Sequence, residues 1–123
     1  MMATREELRE ALDDYVEQAR KSERVIRSLR NWNCVIYLEA LDTGAGFTMV
    51  IKDATATVYD GAQGMADLIV QGSSEDLCDI FWCDANPASN YMQGAIKTKG
   101  AQENVMRLDA MSLLIYLEVT KTK

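Results

Sequence analysis

Few side chains in this sequence can do covalent chemistry. There are three cysteines, Cys34, Cys78 and Cys83, and no histidine. Without an imidazole there is no Ser-His or Cys-His nucleophile pair, and zinc loses its commonest nitrogen ligand. A nucleophilic thiol would then need its pKa lowered by a cation or a helix N-terminus. Cys83 instead sits between Trp82 and Asp84, neighbours that raise it. Cys78 and Cys83 are five residues apart, so on one helix they point about 140° away from each other, poor geometry for a shared metal. The carboxylates Asp76, Asp79 and Asp84 are the other catalytic candidates. They fall where a helix starts, however, and acidic residues collect there for the helix dipole alone. No glycine pattern of a phosphate loop or dinucleotide site is present. The cysteines read best as small buried hydrophobes. No enzyme, metal or cofactor is expected.

Composition narrows the classes further. A chain of 123 residues, 48% hydrophobic and 26% charged, is expected to form one soluble domain over 1–123. Its formal charge of −6 argues against a nucleic-acid partner, which needs a basic face. The basic residues are scattered, apart from Arg20, Lys21, Arg24, Arg27 and Arg30. That cluster could touch anionic lipid in a transient membrane contact, but an ordinary solvated helix face also accounts for it. An odd cysteine count and no signal-peptide pattern in the first residues suit free thiols and a cytoplasmic location.

Stepping along the chain, Thr4 with Glu7 forms a capping box at the start of a long amphipathic helix within 1–31. Leu8, Leu12, Tyr15, Ala19, Ile26 and Leu29 make its apolar stripe, with Ser22 at the missing step. The stripe is expected to pack on a sheet; pairing with a second copy is the sharper alternative. From Trp32 the period becomes two, with Cys34, Ile36, Leu38 and Ala40 on one strand face. The run 42–46 is a turn, and Phe47, Met49 and Ile51 alternate on the next strand. Asp53-Ala54 connects to a β-branched strand at 55–59, and Asp60-Gly61 signals a hairpin into a strand at 66–71. Together these predict a four-stranded antiparallel meander. The last element, 101–119, is a helix that is apolar nearly all round from Ala110 onward. It is too short and too interrupted by charge to span a membrane. Either a second copy covers it or it walls an apolar cavity.

The chain is organised around residues 72–100, GSSEDLCDIFWCDANPASNYMQGAIKTKG. Ser73 with Asp76 caps a helix whose apolar face is Leu77, Ile80 and Phe81. Asn86 and Pro87 start a second helix that Gly94 ends, and 95–99 alternates as a strand. The order of this segment, with GFTMVIKD, the VYDG turn and ADLIVQGS before it, resembles the sterol carrier protein type 2 domain family over residues 32–119. There is one departure: position 83, often glycine in such domains, is cysteine here.

The resemblance implies an α/β (α+β) domain: a five-stranded, largely antiparallel sheet covered by helices, with a hydrophobic tunnel. It implies non-catalytic carriage of a fatty acid, acyl-CoA, sterol or similar lipid. The segment that lines the tunnel in such domains corresponds here to Phe81, Trp82, Tyr91, Met92 and Gln93, with Met106, Leu113 and Leu114 on the last helix. Gln93 would orient a ligand head, though a helix-capping or solvent-exposed amide is an equal reading of it. Met49, Met65, Met92, Met106 and Met111 suit either core filling or an adaptable pocket. The alternatives are an interaction module that dimerises through its apolar helices, and a small enzyme acting on a lipid-like substrate. The state is expected to be monomer or homodimer.

Overall fold

The computed structural model describes residues 3–82 and 95–120. Thr4 opens helix α1 (Arg5–Lys21) with the expected reciprocal cap: its hydroxyl accepts from Glu7 N–H, and Glu7 accepts from Thr4 N–H. The helix expected to run to residue 31 is broken at Ser22. Ser22 is extended, and its hydroxyl accepts from Val25 N–H to start a short helix α2 (Glu23–Ser28). A serine side chain that satisfies a nearby N–H competes with helix continuation, which is why the break falls there. The stripe shifts at the break: Leu8, Leu12, Tyr15, Ala19 and Leu29 are buried as expected, but Val25 takes the buried place expected for Ile26, which is only half-buried.

Strand β1 (Cys34–Ala40) alternates as expected, burying Cys34, Ile36, Leu38 and Ala40. It pairs antiparallel with β2 (Gly46–Lys52), which pairs antiparallel with β3 (Thr55–Asp60). The β2–β3 turn places Asp53 and Ala54 at φ 53° and 59°, the left-handed conformation of a tight two-residue hairpin.

The meander ends there. Strand β4 (Leu68–Gly72) does not pair with β3 but lies parallel to β1, and the sheet order is β3-β2-β1-β4-β5. Two features of the chain decide this. Asp67 clamps the start of β1, its N–H donating to Val35 O and its carboxylate accepting from Val35 N–H. The run Leu68-Ile69-Val70 is also apolar on both sides, which suits a central strand and not a neighbour of solvent-washed β3. Strand β5 (Lys97–Gly100) pairs antiparallel with β4 and closes the sheet with an edge carrying Lys97 and Lys99. Three of the four pairings are therefore antiparallel, and the sheet is mixed.

Helix α3 (Ser74–Phe81) starts at Ser73, whose hydroxyl accepts from Asp76 N–H. Helix α4 (Gln102–Thr120) is the last described element. The sheet face bearing Ile36, Leu38, Phe47, Met49, Leu68 and Val70 is buried in one core with the helices. The opposite face carries half-buried Val35, Tyr37, Val50 and Ile69. Among the described residues, no helix is long and apolar enough to cross a membrane.

Candidate functional site

Helix α3 is short, but its apolar spacing sends Leu77, Ile80 and Phe81 into the core. Phe81 meets the ring of Tyr15 edge-on, with centroids 4.8 Å apart at 84°. Trp82 follows as the cap, its N–H donating to Cys78 O, and its side chain packs half-buried against the core. On the other side of Tyr15, its hydroxyl hydrogen-bonds the Ser112 hydroxyl at 2.7 Å, a fully buried contact across 97 residues of sequence. Tyr15 thus joins the end of α3 to the middle of α4.

Helix α4 buries Leu108, Met111, Ser112 and Ile115. A second clamp holds its first turns. The Arg107 guanidinium donates to Ser28 O and Arg30 O, both at 3.0 Å, and lies over the Trp32 ring at 5.4 Å from the centroid. Trp32 Nε1–H in turn donates to Asn104 Oδ1 at 2.9 Å. The contact between the end of α2 and the first turns of α4 is therefore polar and directional.

The expected site residues divide into three groups. Phe81 lies in the core against Tyr15, and Trp82 and Leu114 pack half-buried on the same core. Met106 and Leu113 lie on the solvent side of α4. Tyr91, Met92 and Gln93 fall outside the described residues, as do Cys83 and Asp84. Sequence reasoning missed Ser112, Trp32 and Arg107. A serine within an apolar helical run was the available signal for Ser112. Of the methionines, Met49 and Met111 are buried, and Met65 and Met106 are exposed.

Among the described residues, three concavities adjoin these elements. A small one of about 180 Å³ lies between Ala19, Ile26 and Leu29 of the helices and Asp53 to Ala56 of the β2–β3 hairpin. A neighbouring one of about 320 Å³ shares Asp53 and Ala54 with it and extends to Trp32. The largest, an open groove of about 670 Å³, runs between Ser28 and the Met106–Ala110 side of α4.

Of the catalytic candidates, Cys83 and Asp84 lie outside the described residues, and Asp76 and Asp79 lie on α3. Burial, with a smaller contribution from Asp67, pushes the Cys34 thiol up to about 11. Cys78 is buried within α3. Among the described residues no three His, Cys, Asp or Glu side chains converge as a metal site.

The family model for the SCP-2 sterol transfer family matches residues 12–112. The chain belongs to that family. The match begins inside α1 and ends within α4, so it takes in the Tyr15–Ser112 contact as well as the sheet. Solved members share the fold at low identity. A UbiJ-SCP2 ubiquinone synthesis protein is 13% identical with a TM-score of 0.68, covering 88% of this chain and 94% of its own. Sterol carrier protein domain 2 of Helicoverpa armigera is 20% identical with a TM-score of 0.60, covering 88% and 86%. Palmitated SCP2L2 from Aedes aegypti is 19% identical with a TM-score of 0.58, covering 79% and 93%. No curated protein sequence matches the chain significantly. The mixed five-stranded sheet of this SCP-2 domain is the shared feature.

Proposed function

We propose that this SCP-2 domain binds and carries a hydrophobic chain-like ligand, a fatty acid, acyl-CoA, sterol or similar lipid, without transforming it. The observation that supports this best is the family match across residues 12–112, which spans both the sheet and the helix pair joined by Tyr15. The palmitated Aedes aegypti relative makes an acyl chain the first ligand to try. In this reading Phe81, Trp82 and Leu114, with Tyr91, Met92 and Gln93, wall the ligand, and Gln93 orients its polar head. Met106 and Leu113 complete the set only if the ligand runs to the outer side of α4. A chain of about 16 carbons, at ~0.8 kcal/mol per buried CH₂, offers a gross driving force near 12 kcal/mol. Ordering and desolvation reduce this substantially.

Native mass spectrometry of the purified protein tests the reading directly. The expected result is a co-purifying added mass of lipid size, which delipidation removes and one class in a panel of acyl chains, acyl-CoAs and sterols restores. A delipidated, folded protein that takes up none of them refutes the carrier reading.

A further inference from the structure

Strand β3 is an edge of the sheet and pairs on one side only, with β2. Gly61 N–H donates to Gly46 O, and from that pair the register puts Thr55, Thr57 and Tyr59 in hydrogen bonds to β2. Ala56 and Val58 alternate with them and so turn their backbone N–H and C=O groups away from the sheet. Among the described residues, three of those four groups have no hydrogen-bond partner; Val58 O accepts from the Arg9 guanidinium at 3.4 Å. The opposite edge is built differently. Strand β5 is four residues long and carries Lys97 and Lys99, charges that discourage a further strand. Strand β3 has six residues with no lysine, arginine or proline, and its Thr55, Thr57, Val58 and Tyr59 are of types that favour strands.

A concavity adjoins this edge. The one of about 180 Å³ is walled by Ala54 and Ala56 of the hairpin and by Ala19, Ile26 and Leu29 of the helices. An apolar void of about 150 Å³ accepts a group the size of benzene, so this one has room for a single branched or aromatic side chain. Ala56 pairs with buried Ile51, which puts its side chain on the helix-covered face of the sheet, the face of the concavity. A residue laid opposite Ala56 on a further strand sends its side chain to that same face.

We infer that β3 is a docking edge for an extended segment of a partner protein, added antiparallel as a further strand, with one bulky apolar side chain seated in the concavity beside Ala56. The unpaired backbone groups of Ala56 and Val58 fix the register, and the concavity selects the anchor residue, as in strand addition generally. Arg9 gives up only its contact with Val58 O and keeps its bonds to Asp13 and Asp60. A second copy of the chain fits the edge less well. Of the side chains its own β3 and turn could set opposite Ala56, Ala54 and Ala56 are too small to fill the concavity. Val58 is buried in its own core, and Asp60 is charged and held by Arg9. The inference concerns this edge, and does not depend on which ligand the domain carries.

The test is calorimetric titration of the full chain with short capped peptides, threonine throughout except for a central valine, isoleucine, leucine, methionine or phenylalanine. A peptide with central alanine is the reference. At least one anchor peptide is expected to bind at least tenfold more tightly than the reference, and to slow hydrogen exchange at the Ala56 and Val58 amides. N-methylation of the central residue should abolish binding, because that amide faces the edge; N-methylation of the next residue, whose amide faces away, should not. Ala56→Pro removes an edge N–H without touching the β2–β3 ladder, and proline is accepted at such positions, so the variant should melt nearly as before and bind no peptide. Should that variant fail to fold, the two N-methylated peptides decide on the unaltered protein. Absence of binding by every anchor peptide at millimolar concentration, equal binding of the reference, or indifference to central N-methylation overturns the inference. So does a dimer in sedimentation that Ala56→Pro disperses, since the edge would then belong to a second copy. Displacement of the peptide by palmitate overturns it too, by assigning the concavity to a lipid. Lipid carriage is read separately by mass spectrometry, so the two readings fail separately.

Discussion

Replacing Tyr15 by Phe removes one oxygen atom from the centre of the molecule and nothing else. Its ring keeps the edge-on contact with Phe81, so apolar packing between α1 and α3 is preserved. What is lost is the 2.7 Å bond to the Ser112 hydroxyl, in surroundings where Tyr15 is 0% and Ser112 1% exposed. A buried hydrogen bond contributes about 1 kcal/mol net, and a hydroxyl deprived of its partner away from water adds a desolvation cost. Tyr15→Phe is therefore expected to cost about 1.5 kcal/mol, with Ser112 partly compensating by turning to a carbonyl of its own helix. Ser112→Ala removes the same bond from the other side and should cost about as much. The double variant leaves no hydroxyl stranded by the other and should cost only about 1 kcal/mol. The cycle then shows a coupling of about 2 kcal/mol, against an error of about 0.5 kcal/mol for independent sites. Urea unfolding measures it, and thermal melts follow at about 4 °C per kcal/mol for a domain of this size. Single-variant losses that simply add would refute the claim that this bond ties α4 to α1.

Other outcomes follow from the same structure. Leu114→Glu should weaken acyl-chain binding at least tenfold while lowering the melting temperature of the ligand-free protein by only a few degrees; collapse of the fold would make Leu114 ordinary core instead of ligand wall. The buried Cys34 thiol, raised to about 11, should react slowly with a thiol reagent at neutral pH, and faster as pH climbs toward that value. Its linkage to stability has a defined sign: the unfolded thiol loses its proton first, so stability present below pH 9 declines between about 9 and 11, and a Cys34→Ala variant should lack that component of the decline. Ala54→Gly should stabilise the protein by about 1 kcal/mol, because alanine pays for the left-handed conformation at φ 59° and glycine does not; a melt that moves down contradicts the turn geometry.

Much of the local structure was legible because it depends on neighbours in the chain. The Thr4–Glu7 cap, the Ser73 cap and the inward faces of β1 and β2 each follow from side chains a few residues apart. The helix break at Ser22 was less so: serine fits the apolar stripe by position, and only the observed cap shows that its hydroxyl took the backbone. The candidate site was legible by resemblance more than by chemistry. Periodicity placed Phe81 inside correctly, but it could not separate Leu114, packed on the core, from Leu113 and Met106 beside it on α4. A helix apolar on every side contains no record of which side is covered.

The amino-acid sequence alone determined the strands, the caps at Thr4 and Ser73, the Asp53-Ala54 turn, and the absence of histidine that removes the commonest catalytic pairings. Tertiary structure decided what depends on residues far apart in the chain. It set β4 beside β1, because Asp67 holds Val35 and the apolar run 68–70 needs cover on both faces. It also chose the buried side of α4, because the hydroxyl of Tyr15 finds Ser112, and the Arg107 guanidinium finds the carbonyls at the end of α2. Those bonds span 77 to 97 residues. No local pattern encodes such a pairing, since its stability appears only when burial has already excluded water from both partners.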